Sequence, residues 1–243
     1  MSSWKALAEA IARRRDDGHE TAFWWRDDDA AAATPEVERL LALSCGAAVP
    51  LALAVIPQAA EAGLFELIRG EVYVLQHGGD HRNRAGPGEK KTEFPAAESD
   101  QAALDRLREA RLRLVKFAGA RALPVLAPPW NRMRPELVAR LPQAGISGLS
   151  MYTTPASRSP VAGVTQVDTH VDLVAWRTGR GFIGETQALE LTLSHLAGRG
   201  PIGWLTHHAV HQRDVMDFLT RLFDVSRRAG ARWASPADMW SSA

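Results

Sequence analysis

Short apolar runs, most of them followed by a longer amphipathic stretch, recur along the whole chain. This alternation limits the folds open to it more than any other feature. The runs are TAFWW (21–25), VPLALAVI (49–56), EVYVLQ (71–76), ALPVLA (122–127), GISGLS (145–150), VTQVDTHVDLV (164–174) and IGWLT (202–206). Helix-like stretches separate most of them, at 35–46, 58–69, 99–119, 134–143, 185–198 and 211–229. Strands that are apolar throughout are covered on both faces, and strands separated by helices pair in parallel. The pattern predicts an α/β protein, a (β/α) barrel of about seven parallel strands. An open doubly wound sheet is the alternative, but no GxGxxG follows the first run, so a dinucleotide site has no support. No linker divides the chain, and residues 1–243 are expected to form a single domain. An amphipathic helix at 3–16, with Trp4, Leu7, Ala8 and Ile11 on one face, is expected to pack on it.

Several function classes are set aside by simple counts. The formal net charge is +1, so bulk electrostatics give no reason to expect nucleic acid or an acidic membrane as partner. The lone cysteine, Cys45, excludes a disulfide framework and reads as a small core residue. No apolar segment reaches the ~18 residues a transmembrane helix needs. The N-terminus has no compact apolar stretch followed by a small-residue cleavage site, which leads to the expectation of a cytoplasmic protein.

The unusual polar residues fall at the carboxyl ends of the runs. The first ends in Arg26-Asp27-Asp28-Asp29, the third in HGGDH with His77 and His81, and the fourth in APPWNR. The sixth carries Asp168, His170 and Asp172, with Trp176 beyond it, and the seventh ends in Thr206-His207-His208. In parallel α/β folds those ends share one face, where sites are built. Two imidazoles and a carboxylate form a common ligand set for a divalent ion. The Gly-Gly between His77 and His81 argues for a tight loop, not a helix, as the device that brings them together. Three successive carboxylates repel one another. An ion that takes one of them relieves this and leaves a second free as general base.

In this order, Asp-Asp, HxxxH, a Pro-Pro turn, an Asp/Trp segment and Leu-x-His, the motifs resemble those of the polysaccharide deacetylase (NodB-homology) family, carbohydrate esterase family four. The resemblance spans about residues 20–240. It implies a distorted (β/α) barrel that removes N- or O-acetyl groups from sugars with one divalent metal, zinc first, with cobalt, nickel or manganese as the other candidates. The family's TFDDG is similar to RDDDA, which implies Asp28 as general base and Asp29 as metal ligand; the register one residue earlier makes Asp27 the base and Asp28 the ligand. HGGDH is similar to the family's HSxxH and implies His77 and His81 as ligands. LAPPWNR is similar to RxPPxG but lacks its arginine, since Leu126 and Ala127 precede Pro128. Arg132, or failing it Arg26, is the expected partner of the base. Asp172 is expected to steady the catalytic histidine, and LTH implies His207 as general acid, with His208 as substitute.

Pro129, Trp130 and Trp176 are expected to meet the substrate, and a backbone N–H near HGGDH to help hold the oxyanion. The expected partner is an acetylated sugar or sugar conjugate, a small activated precursor fitting better than a wall polymer. The missing arginine keeps a second reading open, a non-catalytic barrel relative that binds a carbohydrate or small metabolite.

Overall fold

The computed structural model describes residues 3–152, 161–198, 200–211 and 213–241. Residues 153–160, in the polar stretch between the fifth and sixth runs, lie outside them. The strands are β1 (Ala22–Ala30), β2 (Leu51–Val55), β3 (Val72–Gln76), β4 (Ala122–Leu126), β5 (Gly148–Leu149), β6 (Thr165–Gln166), β7 (Val171–Asp172), β8 (Ile202–Thr206) and β9 (Arg232–Trp233). The helices are α1 (Ser3–Asp16), α2 (Pro35–Ala47), α3 (Ala62–Leu67), α4 (Asp100–Ala118), α5 (Pro135–Val138), α6 (Glu185–His195), α7 (Arg213–Ala229) and α8 (Pro236–Met239). The ends of the long helices follow local chemistry. Thr34 caps α2 by accepting from Val37 N (3.3 Å) ahead of Pro35 in the first turn, and Ser99 caps α4 by accepting from Ala102 N (3.2 Å).

The expected α/β fold, a distorted barrel of parallel strands, is the fold found. The sheet order is β6-β5-β4-β3-β2-β1-β8-β7, and its pairings are parallel, with β9 added beside the start of β1. The count is nine, not seven, because the run 164–174 is two strands, β6 and β7, at opposite edges of the sheet, and β9 lies outside the seven runs. Between them the chain leaves β5 and reaches β8. Val167 N and Thr169 N donate to Leu149 O and Met151 O, and His170 N then donates to Gly203 O. The barrel is therefore open between β6 and β7, and residues 167–170 span the gap.

Two expected helices are shorter than read. Extended backbone at Ala60 and Glu61 separates a turn at Pro57–Ala59 from α3. The stretch 134–143 is α5 followed by a 3-10 turn at Leu141–Ala144, and Pro142 lacks the N–H that would continue a helix.

The two faces of β1 bury different things. Phe23 and Trp25 pack under the helices, with Trp25 5.3 Å from Phe223 of α7, and Trp4 of α1 lies 5.3 Å from Phe218. Trp24 fills the concave side with Ala52, Ala54, Leu75 and Val125, and Trp240 beyond α8 plugs it edge-on. The small Ala52 and Ala54 leave the volume the indole takes. Cys45 is exposed, because it lies one position off the buried stripe Val37, Leu40, Leu41 and Ser44 of α2.

Candidate metal and catalytic site

Side chains of β1 alternate between the two faces as far as Asp28. Arg26 and Asp28 follow Trp24 onto the concave side. Asp27 follows Trp25 and is consumed there: its carboxylate accepts from Thr206 Oγ1 (2.6 Å) and His208 N (3.0 Å) and pairs with His208 Nδ1 (2.5 Å). Thr206 Oγ1 in turn accepts from Trp25 Nε1 (2.8 Å). Burial alone would lower the His208 imidazole, but the Asp27 charge and bond outweigh it and raise it. His208 is thus bound to Asp27, on the side of β1 away from the cleft.

Alternation would send Asp29 after Asp27. Instead the register against β2 slips: Asp27 pairs with Leu53 and Ala30 with Val55, so three steps on β1 face two on β2. This is a bulge, and Asp29 within it takes φ 71, a left-handed conformation that aspartate tolerates better than most residues. The bulge turns Asp29 into the same cleft as Asp28.

There Asp29 Oδ1 lies 3.0 Å from His77 Nε2 and 3.2 Å from His81 Nε2. Burial would raise the Asp29 carboxyl, but the bonds from His77 and His81 hold it well below the usual carboxylate range. His77 follows β3 and donates from Nδ1 to Ala127 O (2.9 Å), so Nε2, which bonds Asp29 here, is the nitrogen that would take an ion in place of its proton. The three ligand atoms lie within 4.8 Å of one another. One carboxylate oxygen and two imidazole nitrogens so placed, one with its tautomer already set, fit a divalent ion.

Two glycines separate the histidines because no larger residue fits. A Cβ on Gly78, at φ 65, would stand 2.1 Å from Glu93 Oε2 and 2.7 Å from Pro129, and one on Gly79 would stand 2.8 Å from Arg106. Glu93 is wholly buried and accepts from Gly79 N (2.8 Å), Asp80 N (3.4 Å) and His81 N (3.1 Å), with Arg106 Nε 3.2 Å away. Sequence reasoning missed Glu93; it sits in a polar loop with no periodicity, and its partners lie 12 to 14 residues upstream. These bonds occupy the N–H groups of Gly79, Asp80 and His81. Asp80 turns away and is held by Arg84 (2.8 and 2.7 Å), which keeps its carboxyl at about 2.

The partner of Asp28 is Arg26, not Arg132. Arg26 is wholly buried, its Nε 2.9 Å from Asp28 Oδ1, and its Nη2 donates to Asp28 Oδ2 (3.0 Å) and Asn131 Oδ1 (2.8 Å). Nη1 donates to Ser150 O (2.9 Å) and Oγ (2.8 Å). Arg132 points from an exposed turn and donates to Lys91 O (2.9 Å). A strand residue two before Asp28 projects on the same face, whereas Arg132 lies beyond a turn in which Trp130 and Asn131 take φ 56 and 53.

His207 Nε2 lies 4.0 Å from Asp28 Oδ2, and the edge of Trp176 meets the His207 ring at 4.8 Å. Asp172 does not take His207 Nδ1, which is buried without a hydrogen-bond partner among the described residues. The Asp172 carboxylate accepts instead from Val174 N (2.9 Å) and Trp176 Nε1 (2.7 Å), and that indole stands against the His207 ring. Burial raises the Asp172 carboxyl above its usual value.

One cleft of about 1150 Å³ is lined by Asp28, Asp29, His77, His81, Asp172 and His207, together with Trp130 and Trp176. The Trp130 ring stands 4.6 Å from that of His81. Pro129 is buried under Gly78 and does not line the cleft. Asp168 accepts from Met151 N (2.8 Å) and Gln166, and His170 Nδ1 accepts from Gly203 N (3.0 Å); neither faces the cleft.

No family model and no curated protein matches the sequence. Solved structures do match the fold. A family 4 carbohydrate esterase from Streptomyces lividans, in complex with acetate, superposes with a TM-score of 0.59 at 14% identity, over 87% of this chain and 91% of that one. A family 4 acetyl xylan esterase from Clostridium thermocellum, in complex with a cobalt ion, gives 0.57 at 12%, over 91% of each chain. BA3943, a CE4 family pseudoenzyme from Bacillus anthracis, gives 0.62 at 12%, over 91% of this chain and 66% of that one. The fold is that of the family 4 carbohydrate esterases.

Proposed function

We propose that this protein is a metal-dependent deacetylase that hydrolyses an N-acetyl or O-acetyl group of a sugar or sugar conjugate. One observation carries the reading. The Asp29, His77 and His81 cluster shares a cleft with a second carboxylate, Asp28, that is buried with its own arginine and lies 4.0 Å from His207. A buried ion pair is weak support for stability, so its place beside a candidate metal site argues for chemistry. Two neighbours of the same fold are esterases by name, one of them in complex with a cobalt ion.

Asp29, His77 and His81 would hold the ion; zinc suits one oxygen and two imidazole nitrogens, cobalt and nickel accept the same donors, and manganese favours the oxygen. When bound, it supplies Lewis acidity at the acyl carbonyl. Asp28 accepts the proton of the attacking water at the oxygen facing His207. Arg26 pairs with that carboxylate in a buried setting and fixes its orientation. His207 donates from Nε2 to the departing nitrogen or oxygen. Trp176 fixes the plane of His207, and the exposed faces of Trp130 and Trp176 offer stacking surfaces to a sugar ring.

Acetate release from acetylated amino sugars and acetylated xylan, measured with added zinc or cobalt and again with a chelator, tests the reading. Release that stops with the chelator is the expected result. A second reading, sugar binding without turnover, has its own support in the fold shared with a pseudoenzyme. Stoichiometric metal with sugar bound and no acetate formed would decide for it.

A further inference from the structure

Each carboxylate inside the cleft has partners, and the cations at its mouth meet no carboxylate. Asp28 has Arg26, Asp29 faces His77 and His81, and Asp172 accepts from Val174 N and Trp176 Nε1. The same cleft is also lined by Lys91, Arg132, Arg177 and Arg180, all four exposed. None of the four meets a carboxylate among the described residues; Arg132 donates to the Lys91 carbonyl. The residues outside the description contain no aspartate or glutamate that could complete a pair. The chain as a whole carries only +1, so this is a local concentration of cations.

The cations come from two sides. Lys91 and Arg132 lie on the loops after β3 and β4, and Arg177 and Arg180 lie on the turn after β7. In the sheet order those strands stand on opposite sides of β1, which carries Asp28 and Asp29. The turn is a built feature. Val174 bridges Phe182, Ala175 N donates to Gly181 O (2.8 Å), and Arg180 N donates to Ala175 O (3.0 Å). Arg180 sits in the left-handed region, at φ 61, between Gly179 and Gly181. A glycine would occupy that position without the Cβ clash, yet it holds a guanidinium at the cleft mouth.

We propose that the acyl sugar taken by this cleft carries an oxyanion, a phosphate or a carboxylate, bound by Arg177 and Arg180. Like charges gathered without partners repel one another and concentrate anions at the cleft. Guanidinium forks match phosphate and carboxylate oxygens in pairs. The inference rests on the deacetylase reading for the acyl group and on the rim for the anion.

The test uses the metal-loaded full chain at low ionic strength, with three probes: N-acetylglucosamine, N-acetylglucosamine 1-phosphate and N-acetylmuramic acid. Binding is read by calorimetry and turnover by acetate release. At least one anionic sugar should bind about tenfold or more tightly than the neutral one, as charge-assisted Arg pairs imply. That preference should fall about tenfold in Arg177→Gln/Arg180→Gly, whereas a phosphate bound only through the metal would keep it. Arg180→Gly alone should not lower the thermal midpoint, which shows that the loss is not one of folding. Preference for the phosphate or for the carboxylate identifies the anion. Equal binding of all three, no binding of any, or a preference that survives the double variant would overturn the proposal. Acetate released equally from all three would also overturn it and leave the deacetylase reading standing. Anion preference without acetate release would do the reverse.

Discussion

Asp27, Asp28 and Asp29 are chemically identical in the sequence, and the backbone gives each a separate task. Strand alternation sends Asp27 to His208 and Asp28 to Arg26, and the bulge turns Asp29 toward His77 and His81. Three substitutions to asparagine should therefore behave differently. Asp28→Asn keeps the ligand cluster and should bind metal while acetate release falls by ~10²-fold or more, the scale of a lost general base. Asp29→Asn should lose metal with activity. Asp27→Asn leaves His208 buried without its charge partner and should lower unfolding free energy by about 3 kcal/mol, with metal content unchanged. Metal analysis and urea unfolding of the set separate the three; metal lost in Asp28→Asn and kept in Asp29→Asn would restore the earlier register. The sequence could show that a carboxylate run met two histidines. It could not assign the run, because a one-residue bulge leaves no trace in composition or periodicity. Arg26 was legible only as an alternative to Arg132, although strand alternation already places it beside Asp28.

At the level of elements, regular pieces were legible and braces were not. The longer strands and α1, α2, α4, α6 and α7 follow from periodicity and capping residues, since burial of one face leaves a repeating signal. The HGGDH loop owes its shape to Glu93, whose bonds to three successive N–H groups depend on a fold the local sequence does not encode. Glu93 is held by Arg106 of α4, and Arg106 also grips Glu98 (2.5 and 2.8 Å). Glu93→Ala leaves those N–H groups buried without acceptors and should weaken metal affinity by roughly 10–100-fold, the usual effect of losing a group that orients ligands. Gly78→Ala forces a Cβ against Glu93 and Pro129 and should act in the same direction. Zinc titration against a chromophoric competitor reads both without reference to activity. Unchanged affinity in Glu93→Ala would mean that Pro129 and Ala127 suffice to hold the histidines.

Over the whole molecule, the parallel sheet curls but does not close, and the segment 167–170 that crosses the opening bonds to β5 through Val167 and to β8 through His170. That imidazole accepts from Gly203 N at Nδ1 and lies tilted against His195, their rings 4.9 Å apart. Burial, with the neighbouring His195, depresses it to about 4, and burial depresses His211, behind β8, to about 4 as well. Among the described residues, no helix is long and apolar enough to cross a membrane. Both histidines fold neutral and unfold toward the ordinary value near 6.5. Between pH 6.5 and 4 the unfolded state binds more protons than the folded one, so stability rises with pH there and is fully present above 6.5. A shift of this size corresponds to roughly 3 kcal/mol for each group at the acid limit, less for His170, which is partly exposed. Urea midpoints should therefore drop steadily from pH 7 to pH 4. His170→Gln/His211→Gln should begin lower at pH 7, having lost the bond to Gly203, and should decline with a shallower slope. An equal slope in the double variant would place the acid sensitivity in other groups; Asp80 is not among them, because its contribution is lost only between about pH 4 and 2.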